Sequence, residues 1–350
     1  MAPPSTTAPA DTPGEQPPPE APGVLPSAIA DGEWVTSAPP RWREVVTRIV
    51  TFPRLLMRHR DLVRTSVGRE LQTRFQGTVL GWLWPLVHPL FIFAVYYFLF
   101  TKLLSFKLPD LPPGQDAAMG VYMFVGVVVW AAFGESLGVG CNVIVSNGNL
   151  IKKLAFPSEI LPLNVVLANA VTMVFGLSMF VLATSVTDVW AAPSWNLMWA
   201  PVLLFLQVLF TYGVVLFVST MQVFLRDTAQ VVSIVATVWM FLTPLFWVPE
   251  AIPEIGPYIP LIEANPFHHL VYAWREILMG ITELATSLEG YTNGFVIPDK
   301  NLEPGVDIQP LDAMHDYIAS IKIFAVWAVG VFAAGYAFFI MSQRRFADEV

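Results

Sequence analysis

The chain has 350 residues, of which 55% are hydrophobic and only 13% are charged. Soluble domains carry roughly 25% charged residues, so this composition excludes an ordinary soluble domain and favours a membrane protein. The formal net charge is -8 at pH 7, but the positions of the charges are more informative than their sum. The single cysteine, Cys141, excludes an internal disulfide framework and a multi-cysteine metal site.

Residues 1–40 form a separate region that contains 11 of the 30 prolines and no lysine or arginine. Such a segment buries too little apolar surface to offset its chain entropy, and it is predicted to be a disordered cytoplasmic tail. It lacks the basic start and apolar core of a signal peptide. The rest of the chain divides into an interface segment (41–80), spans one to five with a coupling segment (81–248, with 146–160), an extracytoplasmic loop (249–320), and a last span with a short tail (321–350).

A basic amphipathic helix is predicted for Arg58–Phe75, the approach to the first span. Leu62, Val67 and Leu71 recur near helical spacing, and arginines occupy the rest of the wheel. This helix is expected to lie along the inner membrane surface, where its positive face suits anionic lipid headgroups.

A helix needs ~20 apolar residues to cross the hydrocarbon core, and six stretches of the chain meet this requirement. The fold class predicted is therefore all-α integral membrane, with six transmembrane helices. The expected spans are about Leu86–Leu104, Met119–Val145, Ile160–Thr184, Leu197–Phe224, Val231–Val248 and Ile321–Met341.

The basic residues predict the orientation of these spans. With a cytoplasmic amino terminus, 14 of the 19 lysines and arginines lie on the inner side and four on the outer side, and Lys322 lies at the outer end of the last span. Positive charge accumulates on cytoplasmic loops, so both termini are expected in the cytoplasm.

The cytoplasmic segment 146–160 contains "SNGNLIKKLAFPSEI", which is more than a turn requires. A helix start near Asn149 and a stop before Pro157 predict a short helix with an apolar face and a charged edge. This helix suits docking to a partner, although a connecting loop with positive-inside lysines explains the same residues. The residues concerned are Asn149, Leu150, Ile151, Lys152, Lys153 and Leu154.

The outer loop 249–320 is acidic and contains "NPFHHLVYAWREILMG". Asn265 as cap, Pro266 in the first turn and Gly280 as stop predict an amphipathic helix that contacts the outer leaflet or re-enters the membrane. The tract from Glu283 to Asp316 is polar and is predicted to form an external extension.

The chain lacks recognisable chemistry for driving transport. It contains no Gly-Lys pair, hence no phosphate-binding P-loop, and no H-E-x-x-H metal motif. Glu135 is the one charge deep in a span, where an internal structural pair is the favoured interpretation, with ion binding as an alternative. No catalytic residue, metal or cofactor is predicted in this chain.

From about Arg58 onward, the sequence resembles the membrane subunit of ATP-binding-cassette exporters of O-antigen, capsule and teichoic-acid polysaccharides. Three stretches carry the resemblance: Arg69–Leu90 (interface helix and turn into the first span), Phe133–Leu163 (second span and coupling segment) and Phe224–Trp247 (second cytoplasmic loop and fifth span). The proline-rich tail and the 283–316 insert have no counterpart in that pattern.

The resemblance implies a homodimer in the bacterial cytoplasmic membrane with two ATPase subunits docked beneath, which would bind ATP and Mg. Arg69, Glu70 and Arg74 would join the 146–160 segment in coupling ATP-driven motion to the spans. A channel at the dimer interface would pass a polyprenyl-pyrophosphate-linked glycan outward. Membrane lipids are further expected partners, and nucleic acid is not.

Aromatic residues near the first, second and fifth spans suit such a path, because sugars stack on aromatic faces. Tyr96 and Tyr97 lie mid-span, where an interfacial belt does not explain them, and at most one is expected to face the channel. The candidate path residues are Tyr96, Tyr97, Trp130, Phe133, Trp239, Phe246 and Trp247. A same-fold exporter of drugs or lipids and an integral-membrane transferase remain the alternatives.

Overall fold

The computed structural model describes residues 42–104, 118–153, 157–186, 195–249, 252–279 and 317–349, and its regular structure there is helical. The predicted disordered tail and the 283–316 insert lie outside the described residues. The α-helices are α1 (Trp42–Arg58), α2 (Arg60–Phe75), α3 (Trp84–Tyr96), α4 (Ala118–Cys141), α5 (Val143–Ser146), α6 (Gly148–Lys153), α7 (Ile160–Val186), α8 (Ala200–Phe224), α9 (Thr228–Leu242), α10 (Ile259–Glu263), α11 (Pro266–Met279), α12 (Tyr317–Ser342) and α13 (Phe346–Glu349).

Among the described residues, four segments are long and apolar enough to cross a membrane: Met119–Cys141, Ile160–Ser185, Trp195–Phe224 and Tyr317–Arg345. They correspond to the second, third, fourth and sixth predicted spans. The segments expected as the first and fifth spans contain shorter apolar helices, Val87–Phe100 and Thr228–Leu242. The chain is thus an all-α protein with the helices of a multi-pass membrane protein.

The two short helices end early for local reasons. After Tyr96, α3 passes into a π-helix, Tyr97–Leu103, where the Leu104 N–H bonds to the Leu99 carbonyl at 2.8 Å. At the other site, α9 ends at Leu242 because Pro244 forces the preceding Thr243 into an extended conformation, with ψ 133°. The expectation of one continuous helix to Val248 was therefore wrong.

The second predicted span also ends before its expected limit. It bends at Asn142, between α4 and the four-residue α5. The short helices α5 and α6 then turn the chain toward α7.

A helix that the sequence analysis did not identify precedes the predicted interface helix. Val45, Ile49, Phe52 and Leu56 of α1 pack against the core, and their spacing of three or four residues is that of one helix face. The Phe52 ring lies 5.6 Å from Tyr212 of α8 and 5.2 Å from Tyr336 of α12. We call α1 and α2 together the collar (Trp42–Phe75).

The tightest helix pair is α8 with α12, which meet at glycines. A Cβ added to Gly335 would collide with the Gly213 backbone, and one added to Gly213 would lie 2.6 Å from the Phe332 Cα. The missing side chains allow the two backbones to approach closely.

Helix α11 lies in the interior of the helix bundle, packed against α4, α8 and α12. Its start agrees with the prediction: the Asn265 Oδ1 accepts a hydrogen bond from the Phe267 N–H at 3.0 Å. Except for His268 and Tyr272, every residue from Phe267 to Met279 is buried. The predicted helix is therefore confirmed, but a broad contact with the outer leaflet is not, because protein covers this helix on nearly all sides. The alternative, partial re-entry into the membrane, stays a prediction.

The collar contacts the long helices well inside one of their ends. On α4 and α7, its partners are Glu135, which lies six residues before the end of α4, and Asn169, which lies nine residues after the start of α7. On α8 and α12, they are Tyr212, which lies twelve residues before the end of α8, and Tyr336, which lies six residues before the end of α12. At 1.5 Å per residue, this end of the bundle extends about 9–18 Å beyond the collar. We call these helix ends, with α5, α6 and α13, the projecting end.

Candidate functional site

The short helix predicted within 146–160 is confirmed as α6, which lies on the projecting end beside α13. Its role in coupling stays a prediction. The Asn147 carbonyl accepts hydrogen bonds from the Leu150 and Ile151 N–H groups, which starts the helix. The side-chain nitrogen of Asn147 bonds back to the Val143 carbonyl at 2.8 Å and holds the turn between α5 and α6.

The side chains of α6 divide between the chain's own core and the surface. Leu150 and Ile151 are half-buried and pack against the core, so part of the apolar face expected to meet a partner is used internally. Asn149 and Lys152 are exposed. Leu154 and the side chain of Lys153 lie outside the described residues.

The collar is joined to the spans by a polar cluster around Arg74. The Arg74 guanidinium lies 2.9 Å from the Glu135 carboxylate on α4 and 2.6 Å from the Asn169 amide oxygen on α7. It also lies 3.4 Å from Glu70 on its own helix. Arg74 and Glu70 therefore point toward the bundle, whereas Arg69 is exposed.

The cluster continues into the bundle through Asn169. Its side-chain nitrogen donates to the Ser136 hydroxyl at 2.9 Å, which in turn donates to the Ala132 carbonyl at 2.6 Å. Three helices are thus connected by hydrogen bonds at the level of the collar.

A second connection, which sequence reasoning missed, centres on Gln222 near the end of α8. Its side-chain nitrogen lies 3.2 Å from the Asn142 oxygen at the α4–α5 bend and 3.2 Å from the Arg226 carbonyl in the α8–α9 turn. Its side-chain oxygen accepts the Ala229 N–H at 2.8 Å, in the first turn of α9. One buried amide therefore links the segment leading to α6 with the start of α9.

Three of the predicted path residues, Trp130, Phe133 and Trp239, lie together in an aromatic cluster. Phe133 is fully buried, and its ring lies 5.3 Å from both Trp130 and Trp239. Phe210 and Phe267, which the sequence analysis did not select, complete the cluster. We call these five residues the interior aromatic cluster; Phe133 is inaccessible in it.

A second group of path residues lies where α3 meets the end of α9. The Tyr96 ring is 6.3 Å from Phe246, and the Trp247 indole N–H donates to the Phe241 carbonyl at 3.1 Å. Tyr97 lies apart, stacked on Phe93 at 6.1 Å, with the Lys102 ammonium 5.7 Å from its ring. We call Tyr96, Phe246 and Trp247 the outer aromatic group.

A groove of about 210 Å³ separates α4 from α9. Small residues line it, because Gly134 and Gly138 of α4 face Ala229, Ser233 and Ala236 of α9. Cys141 also lines the groove, with a 1% exposed side chain that agrees with a small packed residue. None of the residues of α9 is buried, so this helix leaves more of its surface uncovered than its neighbours do.

Arg275 and Asn265, which both precede the last span in the chain, hold the end of α9 in place. The Arg275 guanidinium donates to the carbonyls of Tyr122, Pro244 and Leu245 at 2.7–3.1 Å, and it lies 3.3 Å from the Tyr122 ring centre. Asn265 accepts the Trp239 indole N–H at 2.8 Å and donates to the Thr243 hydroxyl at 2.9 Å. The sequence alone gave no signal for these long-range partners.

The start of α11 is further fixed by His269. Its Nε2 donates to the Glu263 carbonyl at 2.8 Å, and its Nδ1 lies 3.5 Å from the Ser320 hydroxyl. Burial lowers the pKa of His269 below its usual value, although the Glu263 carbonyl acts in the opposite direction.

Comparison with known proteins adds the family. The family model "ABC-2 type transporter" matches residues 61–279. An O-antigen export system permease protein RfbA from Myxococcus xanthus is 29% identical over 229 residues, which is 65% of this chain and 84% of that protein. Two Klebsiella pneumoniae proteins of the same name are also similar. The first is 26% identical over 68% of this chain and 88% of its own length, and the second is 27% identical over 63% of this chain and 82% of its own length.

The matched region extends from the second residue of α2 to the last residue of α11 and so includes α6, the Gln222 connection and both aromatic groups. A match over more than half of the chain, on an all-α bundle with four helices of spanning length, identifies the family. The chain belongs to the ABC-2 type transporter membrane family.

Proposed function

We propose that this chain is the permease subunit of an ABC transporter that exports a lipid-linked polysaccharide across the bacterial cytoplasmic membrane. The observation that carries the proposal is the similarity to three O-antigen export permeases over at least 82% of each of their lengths. The glycan would be linked to polyprenyl pyrophosphate, as in the polysaccharide exporters that the sequence resembles.

The family implies an ATP-binding partner subunit, and two copies of it would dock on the projecting end and supply ATP and Mg. The exposed Asn149 and Lys152 of α6 and the exposed Arg69 of α2 offer polar contacts for them. Closure of the ATPase subunits would push on α6, and the push would reach α9 through Asn142 and Gln222. It would reach α2 through Arg74.

A homodimer with six spans per subunit accommodates the two short apolar helices as first and fifth spans. Their exposed faces are strongly apolar: Phe91, Phe98 and Leu103 around α3, and Ile234 and Phe241 on α9, are 61–66% exposed. A second subunit packed against these faces would cover them. The outer aromatic group lies beside the same surface, which favours a glycan path there over one through the closed interior aromatic cluster.

The decisive experiment reconstitutes the chain with its ATPase partner in proteoliposomes and follows ATP-dependent movement of a lipid-linked polysaccharide. We expect movement only when both subunits are present and the ATPase is active. An ATPase variant unable to hydrolyse ATP is the matched control. Transport of small drugs or lipids without polysaccharide would favour the same-fold alternative, and glycosyl transfer by the isolated chain would overturn the proposal.

A further inference from the structure

The collar helix α1 presents three adjacent faces around its axis. At 100° per residue, Val45, Ile49, Phe52 and Leu56 form the face that packs on the bundle. Trp42, Val46, Val50 and Met57 form the next face. Arg43, Arg54 and Arg58 form the third, on the far side of the second.

The second face is apolar and exposed. Trp42 is 66% exposed, Val50 72% and Met57 65%. A face of this composition is unfavourable in water, because its burial would remove apolar surface from the solvent. Within the described part of the chain, no helix packs on it.

The third face carries positive charge without a described counter-charge. Arg43, Arg54 and Arg58 are exposed, and their side chains form no ion pair with any residue that the structure describes. Glu44, the acidic residue of α1, lies about 40–100° farther round the helix from these arginines.

The position of α1 along the bundle adds a second, independent observation. Its Phe52 contacts Tyr212 and Tyr336, at the level from which the projecting end extends. The four helices of spanning length pass through this level. A helix that packs on the bundle at this level, with an apolar flank beside arginines, has the composition of an interfacial membrane helix.

We propose that the Trp42–Val46–Val50–Met57 face of α1 inserts at the headgroup boundary of an anionic bilayer, while Arg43, Arg54 and Arg58 bind lipid phosphates. Helix α1 lies upstream of the 61–279 family match, so this membrane contact is additional to the matched region. It is independent of the substrate that the transporter carries.

The first test measures where the apolar face lies. The full chain, as Cys141→Ala, receives Val50→Cys or, as the matched control, Glu44→Cys, because the exposed Glu44 lies beyond the arginine face and about 120° from Val50. Each cysteine is labelled with an environment-sensitive fluorophore, and the protein is placed in nanodiscs with or without lipids brominated near the headgroup. We expect the label at position 50 to be quenched by brominated lipid at least about twofold more than the label at position 44.

Equal quenching at the two positions would overturn the proposal. Protection of position 50 from both brominated lipid and aqueous iodide would also overturn it, because that result means that a second copy or the acidic tail 1–40 covers the face.

The second test measures the role of the arginines. The quenching at position 50 is compared between nanodiscs of phosphatidylcholine alone and nanodiscs that also contain phosphatidylglycerol. The comparison is made for the double variant Arg54→Gln/Arg58→Gln and for a control double variant on the projecting end, Lys152→Gln/Arg226→Gln. We expect phosphatidylglycerol to increase quenching at position 50 in the parent and in the control pair but not in the Arg54/Arg58 pair. Equal responses of the two pairs, or no response in the parent, would show that lipid charge does not hold α1.

Discussion

At the scale of single residues, Arg74 illustrates how a charge near a membrane span is stabilised. Its guanidinium reaches a carboxylate on one helix and an amide oxygen on another, so three helices depend on one side chain. Glu135 is half-exposed, with a 51% exposed side chain, and its ion pair is partly screened by solvent. Asn169 is only 1% exposed, so its hydrogen bond is the more sensitive contact.

This difference predicts unequal effects of two neutralising substitutions. Arg74→Gln should lower the free energy of unfolding by about 1–3 kcal/mol, because it removes the donor to the buried Asn169 oxygen. Glu135→Gln should cost less, since it leaves that hydrogen bond in place. Thermal unfolding of both variants and of the double variant in detergent measures the coupling, and equal losses for the two single variants would contradict this account.

Tyr96 and Tyr97 allow a matched test of the proposed glycan path. Tyr96 belongs to the outer aromatic group, whereas Tyr97 packs on Phe93. Tyr96→Leu should slow polysaccharide export by roughly three- to tenfold at normal protein abundance, the equivalent of about 1 kcal/mol of lost stacking. Tyr97→Leu should leave export near normal but lower stability. Export rates in proteoliposomes test this, and normal export by the Tyr96 variant would exclude this residue from the path.

At the scale of helices, the molecule combines one close helix contact with one helix that is largely exposed. Helices α8 and α12 meet backbone to backbone at Gly213 and Gly335. Helix α9 has no buried residue, and a groove lies between it and α4. The connection through Gln222 gives this exposed helix a fixed attachment at its first turn.

Two glycines of α12 should respond oppositely to a methyl group. Gly335→Ala should destabilise the protein by about 1–3 kcal/mol, because the new Cβ collides with backbone that a side-chain rotation cannot relieve. Gly330→Ala, on the same helix, meets nothing within 4 Å and should be neutral or stabilise by about 0.5–1 kcal/mol. Unfolding temperatures of the two variants decide the matter; similar shifts would rule out a backbone contact.

The contacts of Gln222 predict that a substitution at this residue uncouples ATP hydrolysis from transport. Gln222→Met keeps the side-chain volume but removes the contacts to Asn142, Arg226 and Ala229, at a cost of about 1–3 kcal/mol in stability. ATP hydrolysis by the assembled complex should continue while polysaccharide exported per ATP falls. The exposed Gln230 on α9 provides the control, Gln230→Met, which should preserve the ratio. An unchanged ratio in the Gln222 variant would mean that the amide has only a structural role.

Helix-scale features were predictable where apolar runs or cap residues are local. The long apolar runs located the four long helices, and Asn265 with Pro266 located the start of α11. Helix α1 was missed, although Val45, Ile49, Phe52 and Leu56 carry the required spacing. The burial of α11, the partners of Arg275 and the two aromatic groups depend on contacts between distant parts of the chain, which residue patterns do not encode.

At the scale of the whole molecule, the basic residues predict the orientation in the membrane, and with it the face that would meet the ATPase. Asn149 on α6 should lie in the cytoplasm, and Tyr258, before α10, should lie outside. Single cysteines at these two exposed positions, in a Cys141→Ala background, should react with a membrane-impermeant reagent from opposite sides. Labelling of Asn149→Cys from outside in intact cells would contradict the predicted topology.

The collar divides the long helices into two arms whose length ratio differs from helix to helix. On α4, about 17 residues lie on one side of Glu135 and six on the other, whereas Tyr212 stands at the middle of α8. A straight helix that pivots at the collar is a lever, so a 1 Å displacement of the short arm of α4 becomes about 3 Å at its far end, and on α8 it stays about 1 Å. An equal push on the projecting ends of both helices would therefore shift their far ends relative to each other by about 2 Å.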